Sequence, residues 1–265
     1  MIERIIAGAV LGGAGCALAG HLLVNLRLPF LAVCLSHAAM AGAIMGHLLG
    51  IPILLPAFVA SMIAAILLGP LSDLTGADVN VVAAILFALS LGLAFLGIGL
   101  VPGPKSEVLN LLWGSVLLVR ARDLAWMAAA LLTTILFLLL FYKEIKAIQF
   151  DRRLAILSGI HGHMLYYVLL MVAGGVITVN LHAIGGLMLF SLLVNPAAAT
   201  MQFRLRFGPS LALSTALGVV SALAGLAASF WLDWPAGASI VVASSLIFIA
   251  SVTVAGARAR LRPAE

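Results

Sequence analysis

The chain has 265 residues, of which 64% are apolar and 9% are charged, and its net charge is +5. A soluble domain carries about 25% charged residues, and the mean hydropathy here is +1.25, so the composition excludes a soluble protein. The basic residues stand between apolar runs, where they orient a membrane protein rather than bind nucleic acid. We predict an all-α, polytopic helical bundle in the lipid of a plasma membrane, with residues 1–265 forming one integral domain.

Apolar segments close to the ~20-residue spanning length recur from one end of the chain to the other. They predict about eight transmembrane helices, some of them broken or re-entrant. The segment 109–119 is about half a spanning length and is expected to be re-entrant or interfacial. Whether the segment 109–119 crosses the membrane determines on which side of the membrane the acidic loop 69–80 lies. The other apolar segments are 5–24, 30–50, 51–68, 81–101, 124–142, 161–179, 181–202, 211–232 and 237–255.

Basic residues concentrate in two places that fix the expected orientation. The loop after residue 142 contains Lys143, Lys146, Arg152 and Arg153, and the C-terminal tail contains three arginines. Cytoplasmic segments of membrane proteins carry an excess of Lys and Arg. Both the loop and the C-terminus are therefore predicted to be cytoplasmic.

The stretch 30–50, FLAVCLSHAAMAGAIMGHLLG, contains Cys34, Ser36, His37 and His47 within a segment of spanning length. An ionisable side chain in hydrocarbon costs roughly 2.5 kcal/mol or more unless it faces a partner or a watery cavity. Small residues around His37 allow close packing or a lined cavity. We interpret the stretch as the wall of a permeation pathway, with a hydrogen-bonded packing histidine as the alternative.

A second unusual segment, 181–202, places His182 near its start and Asn195-Pro196 inside an apolar run. Proline removes a backbone hydrogen bond from a helix. We therefore expect a helix break or kink at Asn195 and Pro196, and we include His182 among the candidate pathway residues.

Six segments, in order, resemble the permeases of ABC importers for zinc, manganese and related divalent ions, and the resemblance covers nearly the whole chain. They are CLSHAAMAG (34–42), NVVAAILFALS (80–90), LWGSVLLVRARD (112–123), QFDRRLAILSG (149–159), LHAIGGLMLFSLLVNPAAA (181–199) and LDWPAGASIVV (232–242). The chain departs from the family pattern where Val33 replaces an aspartate that would pair with His37 at the ion site. It departs again where Arg152 and Arg153 replace a Pro-Glu pair.

The resemblance implies a homodimer of permeases, a separate cytoplasmic ATP-binding subunit and an extracytoplasmic metal-binding protein. It also implies that the segment 143–158 couples the permease to the ATPase. Phe150, Asp151, Leu154 and Ala155 would form a short amphipathic piece that inserts into a groove of the ATPase. Because no phosphate loop ending in Gly-Lys-Ser/Thr is present, the ATPase is expected to be another polypeptide.

The candidate ligands favour zinc as the transported ion. Cys34 and His37 are three residues apart and would share a helix face, and imidazole with thiolate favours zinc over manganese. Buried cysteine, however, commonly behaves as a small apolar residue. No permanently bound cofactor is expected, since the metal is the cargo.

Two other classes of protein remain open. One is an ATP-independent secondary metal transporter driven by protons, in which His37 would titrate. The other is an intramembrane enzyme, which would need a nucleophile or a carboxylate inside the membrane. The acidic residues lie at span ends, in loops or near the termini, which argues against this second class.

Overall fold

The computed structural model describes residues 2–102, 117, 119–159 and 162–261. Apart from one 3₁₀ residue at Leu117, the regular structure in these ranges is α-helical, as predicted. The helices are α1 (Ile2–Asn25), α2 (Pro29–Leu48), α3 (Leu54–Thr75), α4 (Val79–Leu100), α5 (Ala121–Leu140), α6 (Tyr142–Phe150), α7 (Arg152–Leu157), α8 (Gly162–Ile184), α9 (Gly186–Met201), α10 (Phe207–Leu232) and α11 (Ala236–Leu261).

Within the described ranges, 8 helices are long and apolar enough to cross a membrane. They are α1 to α5, α8, α10 and α11, which confirms the expected number. The shorter apolar helix is α9, with 16 residues. The half-length segment predicted at 109–119 lies almost wholly outside the described residues.

The helix is not broken at Asn195 and Pro196, where the sequence predicts a break or kink. Helix α9 continues through Pro196 to Met201. The break occurs at Gly185, between α8 and α9, where the backbone has φ 83° and ψ 163°. Glycine adopts this positive φ without the penalty that a Cβ would bring. Proline removes one hydrogen bond from α9, but it does not end the helix.

The loop predicted at 69–80 is shorter than expected. Helix α3 runs through Pro70 to Thr75 and ends at Gly76, which has a left-handed φ of 65°. The side chain of Asp78 then caps α4 by accepting a hydrogen bond of 2.8 Å from the backbone nitrogen of Asn80. A glycine C-cap followed by an acidic N-cap joins two helices in a tight turn.

Helix α1 lies among α5, α8, α9 and α10 and is mostly buried. A Cβ added to Gly13 would meet the backbone of Gly218 in α10. The Ser214 hydroxyl of α10 also donates to the carbonyl oxygen of Ala17 at 3.3 Å. Gly and Ala recur in α1 at near-four spacing, a sequence pattern that predicts a close-packing face for another helix. The contacts with α10 confirm that face, since glycine lets two backbones approach.

Helix α2 lies between α3 and α4 in another part of the bundle. A Cβ on Gly42 would meet the backbone of Pro56, so α2 and α3 are also in close contact. This packing fixes how α2 is rotated about its axis. It thereby determines which of its side chains remain open.

Contacts at the end of α1 show which loops lie together. The Asn80 side-chain amide donates to the carbonyl oxygen of Arg27 at 3.1 Å. The Gln149 side-chain amide donates to the carbonyl oxygen of Leu22 at 3.4 Å. The acidic α3–α4 turn and α6 are therefore at the same end of the bundle.

The C-terminus of α11 also lies at the end of the bundle that contains α6. The rings of Tyr142 and Phe207 are 5.3 Å apart, which joins the start of α6 to the start of α10. The guanidinium of Arg258 lies 5.8 Å from the ring centroid of Phe203, which joins the end of α11 to the α9–α10 turn. The basic segment and the C-terminal end of α11 are thus on one side.

Candidate functional site

His37 lies on the open side of α2. Val33, His37 and Ala41 are half-buried, whereas the residues between them are buried, from Cys34 to Ser36 and from Ala38 to Met40. A spacing of four residues places the three on one face of a helix. We call Val33, His37 and Ala41 the open stripe of α2.

A hydrogen bond fixes the imidazole of His37. Its Nδ1 lies 2.9 Å from the carbonyl oxygen of Val33 and 3.2 Å from the Ser36 hydroxyl oxygen, which itself lies 2.9 Å from the same carbonyl. Because a carbonyl oxygen can only accept, Nδ1 carries the hydrogen in this bond. The lone pair of the neutral ring is then on Nε2. A histidine that ligates a metal through one nitrogen typically donates from the other in this way.

Phe87 of α4 covers the same imidazole. The two ring centroids are 4.7 Å apart and the rings meet edge to face at 86°. Phe87 also meets Phe30 of α2 at 5.8 Å. Phe87 could not be identified from the sequence, because nothing in the apolar pattern of α4 indicates which of its residues face α2.

Cys34 does not lie on the open stripe. Its side chain is completely buried in the apolar core, and the thiol is free. Three residues correspond to 300° around a helix, so Cys34 and His37 are displaced by 60°. That displacement is enough to turn the thiol inward and leave the imidazole partly open. The predicted pairing of Cys34 and His37 on one accessible face is not found.

The other predicted histidines are separate from His37. His47 is half-buried near the end of α2, ten residues or about 15 Å further along the helix. His182 lies near the end of α8 and is 40% exposed. Within the described ranges, no three His, Cys, Asp or Glu side chains converge as a metal site would require.

His182 has a partner that the sequence analysis did not predict. Its Nε2 lies 3.8 Å from a carboxylate oxygen of Asp123 in the first turn of α5. The other carboxylate oxygen accepts a hydrogen bond of 3.0 Å from the backbone nitrogen of Arg120. Asp123 therefore caps α5 and also links it to α8.

The segment 143–158 forms two short helices, α6 and α7, at the basic end of the bundle. Phe150 is 87% exposed and Leu154 is 54% exposed, whereas Ala155 is 3% exposed. An Asp151 carboxylate oxygen accepts a hydrogen bond of 3.0 Å from the backbone nitrogen of Leu154. The four predicted coupling residues thus divide into two exposed apolar side chains, one capping carboxylate and one buried alanine.

A half-buried histidine on a helix of membrane-spanning length indicates a functional site inside the bilayer, and membrane transporters are a class of proteins that place such residues along a pathway. The particular family follows from a family model described as the ABC 3 transport family, which matches residues 1–255. The chain belongs to this family. The resemblance to permeases of divalent-metal ABC importers is thereby confirmed.

Several curated proteins are similar to most of the chain. The manganese transport system membrane protein MntC of Halalkalibacterium halodurans is 27% identical over 93% of this chain and 85% of its own length. The chelated iron transport system membrane protein YfeD of Yersinia pestis is 26% identical over 95% and 84%. The high-affinity zinc uptake system membrane protein ZnuB of Haemophilus influenzae is 24% identical over 88% and 89%.

A solved structure described as PsaBC from Streptococcus pneumoniae in complex with Fab has the same fold. It superposes with a TM-score of 0.85 at 21% identity and covers 94% of this chain and 90% of the matched chain. A second structure, an inward-facing conformation of a putative metal-chelate type ABC transporter, gives a TM-score of 0.77 at 18% identity, covering 95% and 85%. The fold is therefore that of ABC permeases.

Proposed function

We propose that this chain is the permease subunit of an ABC importer that moves a divalent metal ion, with zinc favoured, across the plasma membrane. The observation that carries the proposal is one imidazole on the open stripe of a membrane-spanning helix, held by its own helix through Nδ1 so that Nε2 bears the lone pair. Family membership across residues 1–255 supports it. So do the names of relatives, which include manganese, chelated-iron and zinc systems.

The choice of zinc rests on the ligand atoms that the open stripe offers. His37 provides a nitrogen ligand, and Val33 occupies the position one turn earlier where a carboxylate would add oxygen ligands. Imidazole suits zinc, whereas manganese prefers oxygen. The buried thiol of Cys34 does not contribute to this preference for zinc, which therefore depends on His37 alone.

A homodimer would bring two copies of the open stripe towards one pathway. Two imidazoles give incomplete coordination, which suits an ion that must be released, whereas a closed four-ligand site would retain it. The metal is cargo, and no permanently bound cofactor is proposed. A metal-binding protein on the outer side would deliver the ion, and an ATP-binding subunit would supply the energy.

The distribution of charge supports a cytoplasmic location for the α6–α7 end, and with it the C-terminus. Among the residues that the structure describes, Lys and Arg are more numerous at this end of the bundle than at the opposite end. Such an excess is typical of the cytoplasmic face of a membrane protein. In this orientation, the turn containing Asp78 is cytoplasmic too. We also propose that residues 1–265 act as one integral domain.

Phe150 and Leu154 would anchor the ATPase at this face. Both are exposed apolar side chains beside charged residues, as expected of a short helix that docks into a groove. Phe141 alone separates α6 from the spanning helix α5. A shift of α6 driven by ATP would therefore be transmitted to α5, and through the Gln149 contact to α1.

The test is metal uptake into proteoliposomes that contain this chain with its co-purified ATPase. Zinc, manganese, nickel and iron are compared with and without ATP for wild type, His37→Ala and the control Leu246→Ala. Leu246 is an exposed residue of α11, away from the open stripe of α2. We expect ATP-dependent zinc uptake that is lost in His37→Ala and retained in Leu246→Ala.

The other outcomes are equally informative. Metal uptake without any ATPase would indicate the ATP-independent secondary transporter instead. Full activity of His37→Ala would remove His37 from the pathway. ATP hydrolysis that responds to no metal would refute a metal cargo.

A further inference from the structure

An apolar groove of about 740 Å³ lies between α3, α5 and α8. On α5 it is lined by a stripe that includes Arg122, Trp126, Ala129 and Thr133. These residues are three or four positions apart and so lie on one helix face. The groove has the volume of an ordinary ligand pocket, about 300–1,000 Å³, and is separate from the open stripe of α2.

One end of the groove carries a charged residue, and most of the remaining lining is apolar. Arg122 stands in the first turn of α5 and is exposed, and Trp126 follows one turn deeper. From Arg122 to Thr133 the stripe extends about 16 Å along the helix. Tryptophan and arginine near a helix end are typical of the membrane–water interface, and the apolar remainder lies at hydrocarbon depth.

A buried hydroxyl without a partner lies in the wall of the groove. Thr178 of α8 is 1% exposed, and its Oγ1 has no hydrogen-bond partner among the residues that the structure describes. The hydroxyls of Thr133 and Thr134, which also line the groove, each donate to a backbone carbonyl oxygen at 2.8 Å. A buried hydroxyl that lacks a bond is costly, so a ligand that accepts from Thr178 would remove that cost.

Thr178 lies close to the depth of Arg122. It is one helical turn, about 6 Å, from His182, and His182 contacts Asp123, the residue next to Arg122. The guanidinium of Arg122 at the interface is therefore followed, one turn deeper, by the unpaired hydroxyl of Thr178. Beyond both of them the groove wall is apolar except for Thr133 and Thr134, whose hydroxyls are already bonded to backbone carbonyl oxygens.

We propose that this groove binds an anionic phospholipid, with the phosphate at Arg122, an ester carbonyl oxygen accepting from Thr178 Oγ1, and an acyl chain along α3, α5 and α8. The order of groups in the groove matches the order along a glycerophospholipid. The phosphate is outermost, the ester lies below it, and the hydrocarbon chain is deepest. Because α5 continues into α6, a bound lipid would contact the spanning helix that leads to the proposed coupling segment.

A substitution at Gly175 offers a way to fill the groove without disturbing the packing of α8. A Cβ at Gly175 would lie 3.6 Å from a ring carbon of Phe58, which is an ordinary contact. Gly175→Leu should therefore fold and occupy space needed by the acyl chain. The matched control is Gly92→Leu on α4, where an added Cβ meets no atom of the described residues within 4 Å.

The experiment measures lipid retained by the full chain purified in mild detergent, using native mass spectrometry after titration with phosphatidylglycerol or phosphatidylcholine. We expect phosphatidylglycerol to be retained by the wild type. Arg122→Ala should weaken retention about tenfold, as loss of a charge-assisted contact does. Thr178→Val and Gly175→Leu should also weaken it, and the controls Gly92→Leu and Arg4→Ala should not.

Four results would overturn the proposal. Equal retention by wild type, Arg122→Ala and Gly175→Leu would place the lipid elsewhere. Equal retention of both lipids would remove the role of Arg122. Binding of inorganic phosphate without lipid would indicate a simple anion site. A change from dimer to monomer in Gly175→Leu, with lipid retention unchanged, would show that a second copy of the chain covers the groove. None of these results depends on which solute the permease carries.

Discussion

The imidazole of His37 meets the ring of Phe87 edge to face, with centroids 4.7 Å apart. The contact joins α2, which carries the candidate ligand, to α4. Together with the Val33 carbonyl it holds the imidazole from two sides. The position of His37 therefore depends on the packing of two helices.

Replacing Phe87 with leucine should impair transport without removing a ligand. An edge-to-face aromatic contact contributes about 0.5–1.5 kcal/mol beyond its buried area. We expect the KM for ATP-dependent metal uptake to rise about two- to tenfold, while the thermal stability of the purified protein changes little. Phe95→Leu, at an exposed position on the same helix, is the control. A KM that is equally affected in both variants would refute a specific role for Phe87.

Restoring a carboxylate one turn before His37 should alter the choice of metal. In Val33→Asp, an oxygen ligand would join the imidazole on the open stripe, and oxygen ligands favour manganese. We expect the ratio of manganese to zinc uptake to increase in proteoliposomes. Val33→Leu serves as a control for side-chain size. Unchanged selectivity in Val33→Asp would show that the stripe does not contact the ion.

The close contact between α1 and α10 should leave no space for a side chain at Gly13. A Cβ there would meet the backbone of Gly218, which cannot rotate away as a side chain can. We expect Gly13→Leu to cost about 3 kcal/mol or to prevent folding, as overpacking does at its upper end. Thermal unfolding in detergent measures the effect. Gly92→Leu, with open space around it, should unfold near the wild-type temperature.

The exposed side chains of the α6–α7 segment should matter for assembly rather than folding. We expect Phe150→Ala with Leu154→Ala to leave thermal stability unchanged and to reduce co-purification of the ATP-binding subunit. Leu74→Ala removes an exposed leucine in the last turn of α3 and is the control. Ala155→Leu should instead lower thermal stability, because Ala155 is buried. Full co-purification of the double variant would exclude Phe150 and Leu154 as anchors.

The positions of the helix ends predict from which side of the membrane a thiol reagent will label an introduced cysteine. Leu49 and Leu157 are both exposed, at the end of α2 and the end of α7. We expect Leu157→Cys to react with impermeant thiol reagents only from the cytoplasmic side and Leu49→Cys only from the outer side. The native Cys16 and Cys34 are buried and should stay unlabelled. Labelling of Leu49→Cys and Leu157→Cys from the same side would contradict this topology.

Several features could be predicted from the sequence because they depend on neighbours along the chain. Long apolar runs predicted the spanning helices, and glycines in α1 predicted a close-packing face that the contact of Gly13 with Gly218 bears out. The ordered motifs predicted the family. The predicted ends of the spans were less accurate. Helix α3, for example, continues through Pro70 to Thr75, because a proline can be accommodated within a helix when packing around it is favourable.

The sequence by itself determined the membrane class, the number of spans and His37 as the leading candidate, since hydropathy and an isolated ionisable group are local properties. Only the tertiary structure decided that Cys34 is buried, that Phe87 covers His37 and that Asp123 pairs with His182. It also moved the helix break from Pro196 to Gly185. The physical reason is that the exposure of a side chain depends on how its helix is rotated against its neighbours. That rotation is set by contacts between residues far apart in the chain, such as Gly42 with Pro56.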